Sequence, residues 1–167
     1  MKKLILSAVL IGAFGGVLLA QERGPSDPAR PFVIKTRQSV ADLEKSLRGE
    51  NKVEDLIGGE GMQLRVAVQH DEKRDSAGAE VHDASDDVYY VLDGSAELTL
   101  GGKLENPRED SPGEWRSGKI IGGQTFTIKK GDLIIVPRGT PHQRVNSRGK
   151  KFSLILIKIF AEPIKAK

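Results

Sequence analysis

Two histidines and two acids stand at spacings that suit a metal ion. Glu80 and His82 are two residues apart in a strand-forming run, so their side chains leave the same face of a sheet. Asp87, Tyr89 and Val91 share one face of the next strand, and His142 opens a later one. Inner positions of a small barrel are ordinarily apolar, and ionisable groups there are costly unless paired or bound to an ion. Imidazole and carboxylate are suitable ligands for zinc, iron, manganese, nickel or copper, and two histidines with one carboxylate form a known open iron site. The same residues also admit a metal-free pocket in which His82 and Asp87 simply hydrogen-bond each other.

The neighbours of these residues carry further expectations. Tyr89 is a candidate pocket hydroxyl and, equally, a core aromatic. Arg144 follows His142 by two positions on the same face, where it could bind a substrate carboxylate or pair with Glu80; pairing would reduce the ligand set to three. Asp86 could replace Asp87 if the preceding turn is one residue longer. His70 ends a strand just before Asp71-Glu72-Lys73-Arg74 and is expected near solvent. Phe126 and Ile135 are expected to supply apolar wall around a ligand.

The elements that must position these groups are mostly strands. From Met62 onward the hydrophobic period is two, with short Val-, Ile-, Leu- and Thr-rich runs separated by Gly, Asp, Asn and Lys. This predicts strands near 62–70, 78–82, 87–92, 95–101, 124–128, 132–136, 142–146 and 151–160, an all-β sandwich or barrel. One short helix precedes them, with Ser39 as N-cap, Val40, Leu43 and Leu47 on one face, and Gly49 as the stop. Between Gly102 and Gly123 lies a long excursion holding Trp115, the chain's single tryptophan. It is expected either to form a lid, with Trp115 against a substrate, or to be a surface loop that Trp115 anchors to the outside.

Composition narrows the setting. Lys2 and Lys3 precede an apolar run from Leu4 to Leu19, the pattern of a secretory signal peptide over residues 1–20, with a retained anchor as the other reading. Its removal leaves 24 basic residues of the original 26 against 23 acids, so charge gives no reason to expect a nucleic-acid partner. After cleavage no stable membrane association is expected, and the protein would be secreted or periplasmic. The chain has no cysteine, which excludes disulfides, a thiolate nucleophile and sulfur metal ligands. At 167 residues there is room for one domain of ordinary size.

The segment GDLIIVPRGTPHQRVN at 131–146 resembles the second sequence motif of the cupin superfamily, with Gly131, Pro137, Gly139, His142 and Asn146 at its fixed positions. The segment EVHDASDDVYYVLDG at 80–94 resembles the first, edited in two places. Glu80 stands at the first histidine and Asp87 at the glutamate, while His82 and Gly94 match. The resemblance implies a single-domain jelly-roll antiparallel β-barrel that holds one divalent ion (Mn, Fe, Zn, Ni or Cu) through Glu80, His82, Asp87 and His142. Two carboxylate ligands would make that site neutral and favour harder ions such as manganese or ferrous iron.

The organisation expected is a signal peptide (1–20), an extended arm (21–35), a short helix and connection (36–60), the barrel (61–161) and a tail (162–167). The arm could bridge to a second subunit in a homodimer. The function expected is metal-dependent chemistry on a small organic molecule, whether dioxygenase, isomerase, decarboxylase or lyase. In it Tyr89 or an excess carboxylate, Glu80 or Asp87, would move protons, and Arg144, Phe126 and Trp115 would bind substrate. The alternatives are a non-catalytic cupin that binds a sugar or other small ligand, and an exported structural protein with a decayed pocket.

Overall fold

The period-two runs become strands that close around their apolar faces. The computed structural model describes residues 25–28, 30–75, 78–147 and 149–165. The signal-peptide segment 1–20 lies outside the described residues, and described residues of the predicted arm, 25–28 and 30–35, form no helix or strand. Residues from Val33 onward form one compact unit. Its elements are α1 (Arg37–Ser46), β1 (Lys52–Ile57), β2 (Leu64–Asp71), β3 (Ala79–His82), β4 (Ser85–Leu100), β5 (Lys103–Leu104) and β6 (Arg108–Ser111). They continue with β7 (Glu114–Ser117), β8 (Ile120–Ile121), β9 (Gln124–Lys129), β10 (Leu133–Val136), β11 (His142–Asn146) and β12 (Phe152–Phe160). No helix among the described residues is long and apolar enough to cross a membrane.

All pairings are antiparallel, along the path β1-β2-β12-β4-β11-β3-β7-β6, with β9 and β10 also paired to β4. The hub is β4, which the sequence pattern divides in two at Asp93-Gly94. Its first half pairs with β10 and β12 and its second half with β9 and β11, so one strand crosses between two faces of the barrel. The register against β12 shifts between Ser153 and Leu154, beside that crossing. Gly94 marks it with φ +80°, and a Cβ there would run into the backbone carbonyl of Lys151. Gly94→Ala is therefore expected to cost about 2–3 kcal/mol, read as a lower urea midpoint at unchanged m-value.

The barrel interior has an apolar part and a polar part. Tyr89, Val91, Leu98, Ile128, Phe152 and Leu154 belong to one buried cluster, where each large side chain contributes roughly 1.5–3 kcal/mol. The helix begins earlier than predicted: Thr36 is its N-cap, accepting from the Ser39 N–H at 3.1 Å. The predicted face survives, with Leu47 buried and Val40 and Leu43 half-buried.

Three expectations about position are corrected. Phe126 and Ile135 are 42% and 63% exposed, because alternation on β9 and β10 turns them away from the interior. His70 is 1% exposed rather than near solvent. Helix α1 covers it, and its ring lies 2.7 Å from Ser153 Oγ and 3.0 Å from Glu72. The excursion 102–123 is built of short strands: β6 and β7 form an edge hairpin on β3, and β5 pairs with β8.

Candidate metal centre

Strand β11 lies between β3 and β4, and its first residue, His142, stands directly opposite Glu80 of β3. Alternation then places Glu80 and His82 on the same inner face as His142. His142 Nε2 lies 3.3 Å from Glu80 Oε1, and His82 Nε2 lies 4.0 Å from Glu80 Oε2. The donor atoms of the three residues all fall within 4.8 Å of one another, a group that could hold a metal ion. The two rings are 5.1 Å apart, and both histidines are buried.

Each ring is fixed through its other nitrogen. His142 Nδ1 lies 2.9 Å from the Thr140 carbonyl oxygen, and His82 Nδ1 lies 2.6 Å from a carboxylate oxygen of Glu114. A carbonyl oxygen only accepts, and Glu114 is itself paired with Arg116 at 3.4 Å, so both Nδ1 atoms donate. A neutral ring then turns its Nε2 lone pair toward the acids. His142 Nε2 is buried and makes no hydrogen bond despite the nearby Glu80. With both rings neutral, the lone pairs and carboxylate oxygens gathered here repel, and a cation among them, proton or metal, removes that cost. The donor set therefore fits a divalent ion, with Glu114 and the Thr140 carbonyl as outer supports. Glu114→Gln is expected to weaken metal binding 10–100-fold while leaving the fold intact, measured by competition with a chromophoric chelator.

Without an ion, and against burial, the neighbouring acids favour a proton on the His82 ring, which a bound cation would displace. Burial raises the Glu80 carboxyl, but His142, His82 and Arg116 outweigh it and bring it down to about 2. Burial also raises Asp87, and His82 and Lys158 bring it to about 2, so both acids are ionised at neutral pH. Burial lowers the His82 ring, while Asp87 and Glu80 raise it to a net value above the ordinary one. Burial holds the Tyr89 phenol well above its usual value, so its hydroxyl stays protonated.

Asp87 is brought to the same place but is differently engaged. Its Oδ2 lies 3.6 Å and 3.9 Å from the two histidine Nε2 atoms and accepts from the Tyr89 hydroxyl at 3.0 Å. Its Oδ1 is held by Lys158 Nζ at 2.8 Å, so Asp87 stands beside the three-residue group with a cation of its own. Asp86 pairs with Arg138 at 2.8 Å and does not take its place.

One alternative falls away for each of two further residues. Arg144 does not pair with Glu80; it donates to Asp71 at 2.7 Å, and the guanidinium on Glu80 is that of Arg116, at 3.1 Å. Trp115 does not line the cavity: its indole N–H donates to Asp83 at 2.8 Å, while its neighbours Glu114 and Arg116 line it. Sequence reasoning misses these two because the glycines and prolines around them read as loop. The run Glu114-Trp115-Arg116-Ser117 nevertheless has a strand's alternation, which places Glu114 and Arg116 on one face.

No protein-family model matches this sequence, and no curated protein matches it significantly. Solved structures do. BH2720 from Bacillus halodurans superposes with a TM-score of 0.56 at 19% identity, covering 83% of this chain and 88% of that one. An uncharacterized conserved protein with a double-stranded beta-helix domain from Klebsiella pneumoniae gives 0.51 at 19%, covering 82% and 95%. TT1209 from Thermus thermophilus gives 0.51 at 16%, covering 76% and 96%. At these identities the likeness speaks to fold. The fold is therefore a double-stranded β-helix, the jelly-roll barrel that the resemblance of the two segments meeting across β3 and β11 implies.

Proposed function

We propose that this chain is an exported, metal-dependent enzyme that acts on a small organic molecule inside its barrel. The observation that carries the reading is the convergence of Glu80 with two histidine Nε2 atoms whose Nδ1 atoms are committed elsewhere, one of those Nε2 atoms buried without a hydrogen bond. Export is supported by Lys2-Lys3 and the apolar run to Leu19.

Glu80, His82 and His142 would hold the ion as two imidazoles and one carboxylate, which leaves coordination positions open and suits ferrous iron or manganese. When bound, the ion would supply Lewis-acid or oxygen-binding chemistry. Asp87 sits beside those positions, kept ionised by Lys158, and orients the Tyr89 hydroxyl. Tyr89 thereby offers a proton or a hydrogen bond. The reaction belongs among dioxygenation, isomerisation, decarboxylation and lyase chemistry.

Thermal unfolding tests the metal requirement. Chelator-stripped protein titrated with manganese, ferrous iron, zinc, nickel or copper is expected to gain about 2.7 kcal/mol at a hundredfold excess over Kd with at least one ion, a melting rise of several degrees. A melting curve indifferent to all five ions contradicts the proposal.

A further inference from the structure

We infer that the substrate is a small carboxylic acid bearing a second oxygen function, and that Arg144 receives its carboxylate; the second oxygen function rests on the metal reading above.

Arg144 lines the same cavity as Glu80, His82 and His142. Its guanidinium is already fixed. Nη2 donates to Asp71 at 2.7 Å, and the group sits 4.9 Å from the Phe152 ring centroid and 5.8 Å from that of Tyr89. Nη1 is buried and has no hydrogen-bond partner. A buried donor left unmet costs about 1–3 kcal/mol, so it calls for a partner that arrives from elsewhere. Asp71 cannot supply a second bond's worth of charge. It also faces Arg74 at 3.5 Å and accepts from Gln69 at 3.0 Å, so one carboxylate is shared between two guanidiniums.

The rest of the cavity points the same way. Lys158 is matched by Asp87, and Arg116 is shared by Glu80 and Glu114. If Glu80 turns to an ion, Arg116 loses one of its two acids while the ion adds two positive charges. The loaded cavity is then cationic, and an anion answers it where a neutral sugar does not. The unmet Nη1 donor on a charged guanidinium favours an anionic oxygen such as that of a carboxylate. His142 and Arg144 are two positions apart on one strand, about 7 Å, which a molecule of roughly three to five carbons bridges from guanidinium to ion.

Isothermal titration separates the outcomes. Malonate, succinate and pyruvate are compared with malonamide, succinamide and pyruvamide on manganese-loaded and on chelator-stripped protein. The proteins are the wild type, Arg144→Lys, and the double variant Asp71→Asn with Arg144→Gln, which removes both charges of the buried pair together. At least one acid is expected to bind tenfold or more tighter than its amide, and tenfold or more weaker in both variants, with manganese stoichiometry unchanged. Amides that bind as well as acids, or variants that bind the acids as tightly as wild type, overturn the inference. Protein that takes one manganese yet shows no preference for acids fails this inference and leaves the metal reading standing. Arg144-dependent acid binding in protein that takes no ion does the reverse.

Discussion

Alanine at His142 is expected to lower metal affinity more than 100-fold and to leave the purified protein nearly free of ion. Outer partners of a metal-bound histidine are alone worth 10–100-fold, and His142 is one of only two imidazoles in the group. The variant also removes the Nδ1–H bond to the Thr140 carbonyl and empties a buried site, which destabilises the fold even without ion. The stripped variant should therefore melt below the stripped wild type, and adding ion should stabilise the wild type but not the variant. His82→Ala should behave alike in metal binding, and it leaves Glu114 paired with Arg116 alone. Mass-spectrometric metal analysis with parallel melting curves separates the two effects.

The second large effect is on stability. Arg144→Met removes the guanidinium from a pair in which Arg144 is 8% and Asp71 3% exposed. Methionine fills much of the space over Phe152, so the loss is mainly that of a buried carboxylate deprived of its nearest cation. Breaking such a pair from one side costs about 3–5 kcal/mol, and Arg74 at 3.5 Å moderates it toward the lower end. A cost of about 3 kcal/mol corresponds to a melting temperature lowered by roughly 6–12 °C. Changing Asp71→Asn in the same chain should recover part of it, since the stranded charge is then gone; a double variant no better than Arg144→Met would remove this explanation.

How much of the fold is legible in the sequence follows from where the period-two signal is strong. Strand β11 matches its predicted span of 142–146, and β2, β3, β9, β10 and β12 lie within two residues of theirs. Strand-forming runs bounded by turn residues mark them, even in β11, whose buried residues are His142, Arg144 and Asn146. The split of β4 fails at Asp93-Gly94, a turn dipeptide that here serves a strand passing from one face of the barrel to the other. Strand β1, Lys52–Ile57, and strands β5 to β8 escape the pattern. Arg108–Ser111 is exposed at every residue, so an edge hairpin held by backbone pairing leaves no apolar pattern to see.

The site divides in the same way. Spacing within two short motifs places Glu80, His82, Asp87, Tyr89 and His142, and the barrel brings all five together. Their partners are not legible. Asp71 lies 73 residues from Arg144, Glu114 lies 32 from His82, and Lys158 lies 71 from Asp87, so each pairing depends on which strands become neighbours. The charged residues after His70 suggest solvent, whereas its burial is decided by Glu44 of α1 and Ser153 of β12 closing over the outer face of β2.

The proposed chemistry depends above all on Glu80, His82 and His142 holding one ion. That is tested by a crystal structure of protein purified without a histidine tag under anaerobic conditions, with anomalous scattering collected across the absorption edges of manganese, iron, nickel, copper and zinc. A single anomalous peak is expected about 2.0–2.2 Å from both Nε2 atoms and from a Glu80 oxygen. Full-length protein with no peak there, and with His142 Nε2 protonated and hydrogen-bonded to Glu80 instead, would refute the metal centre.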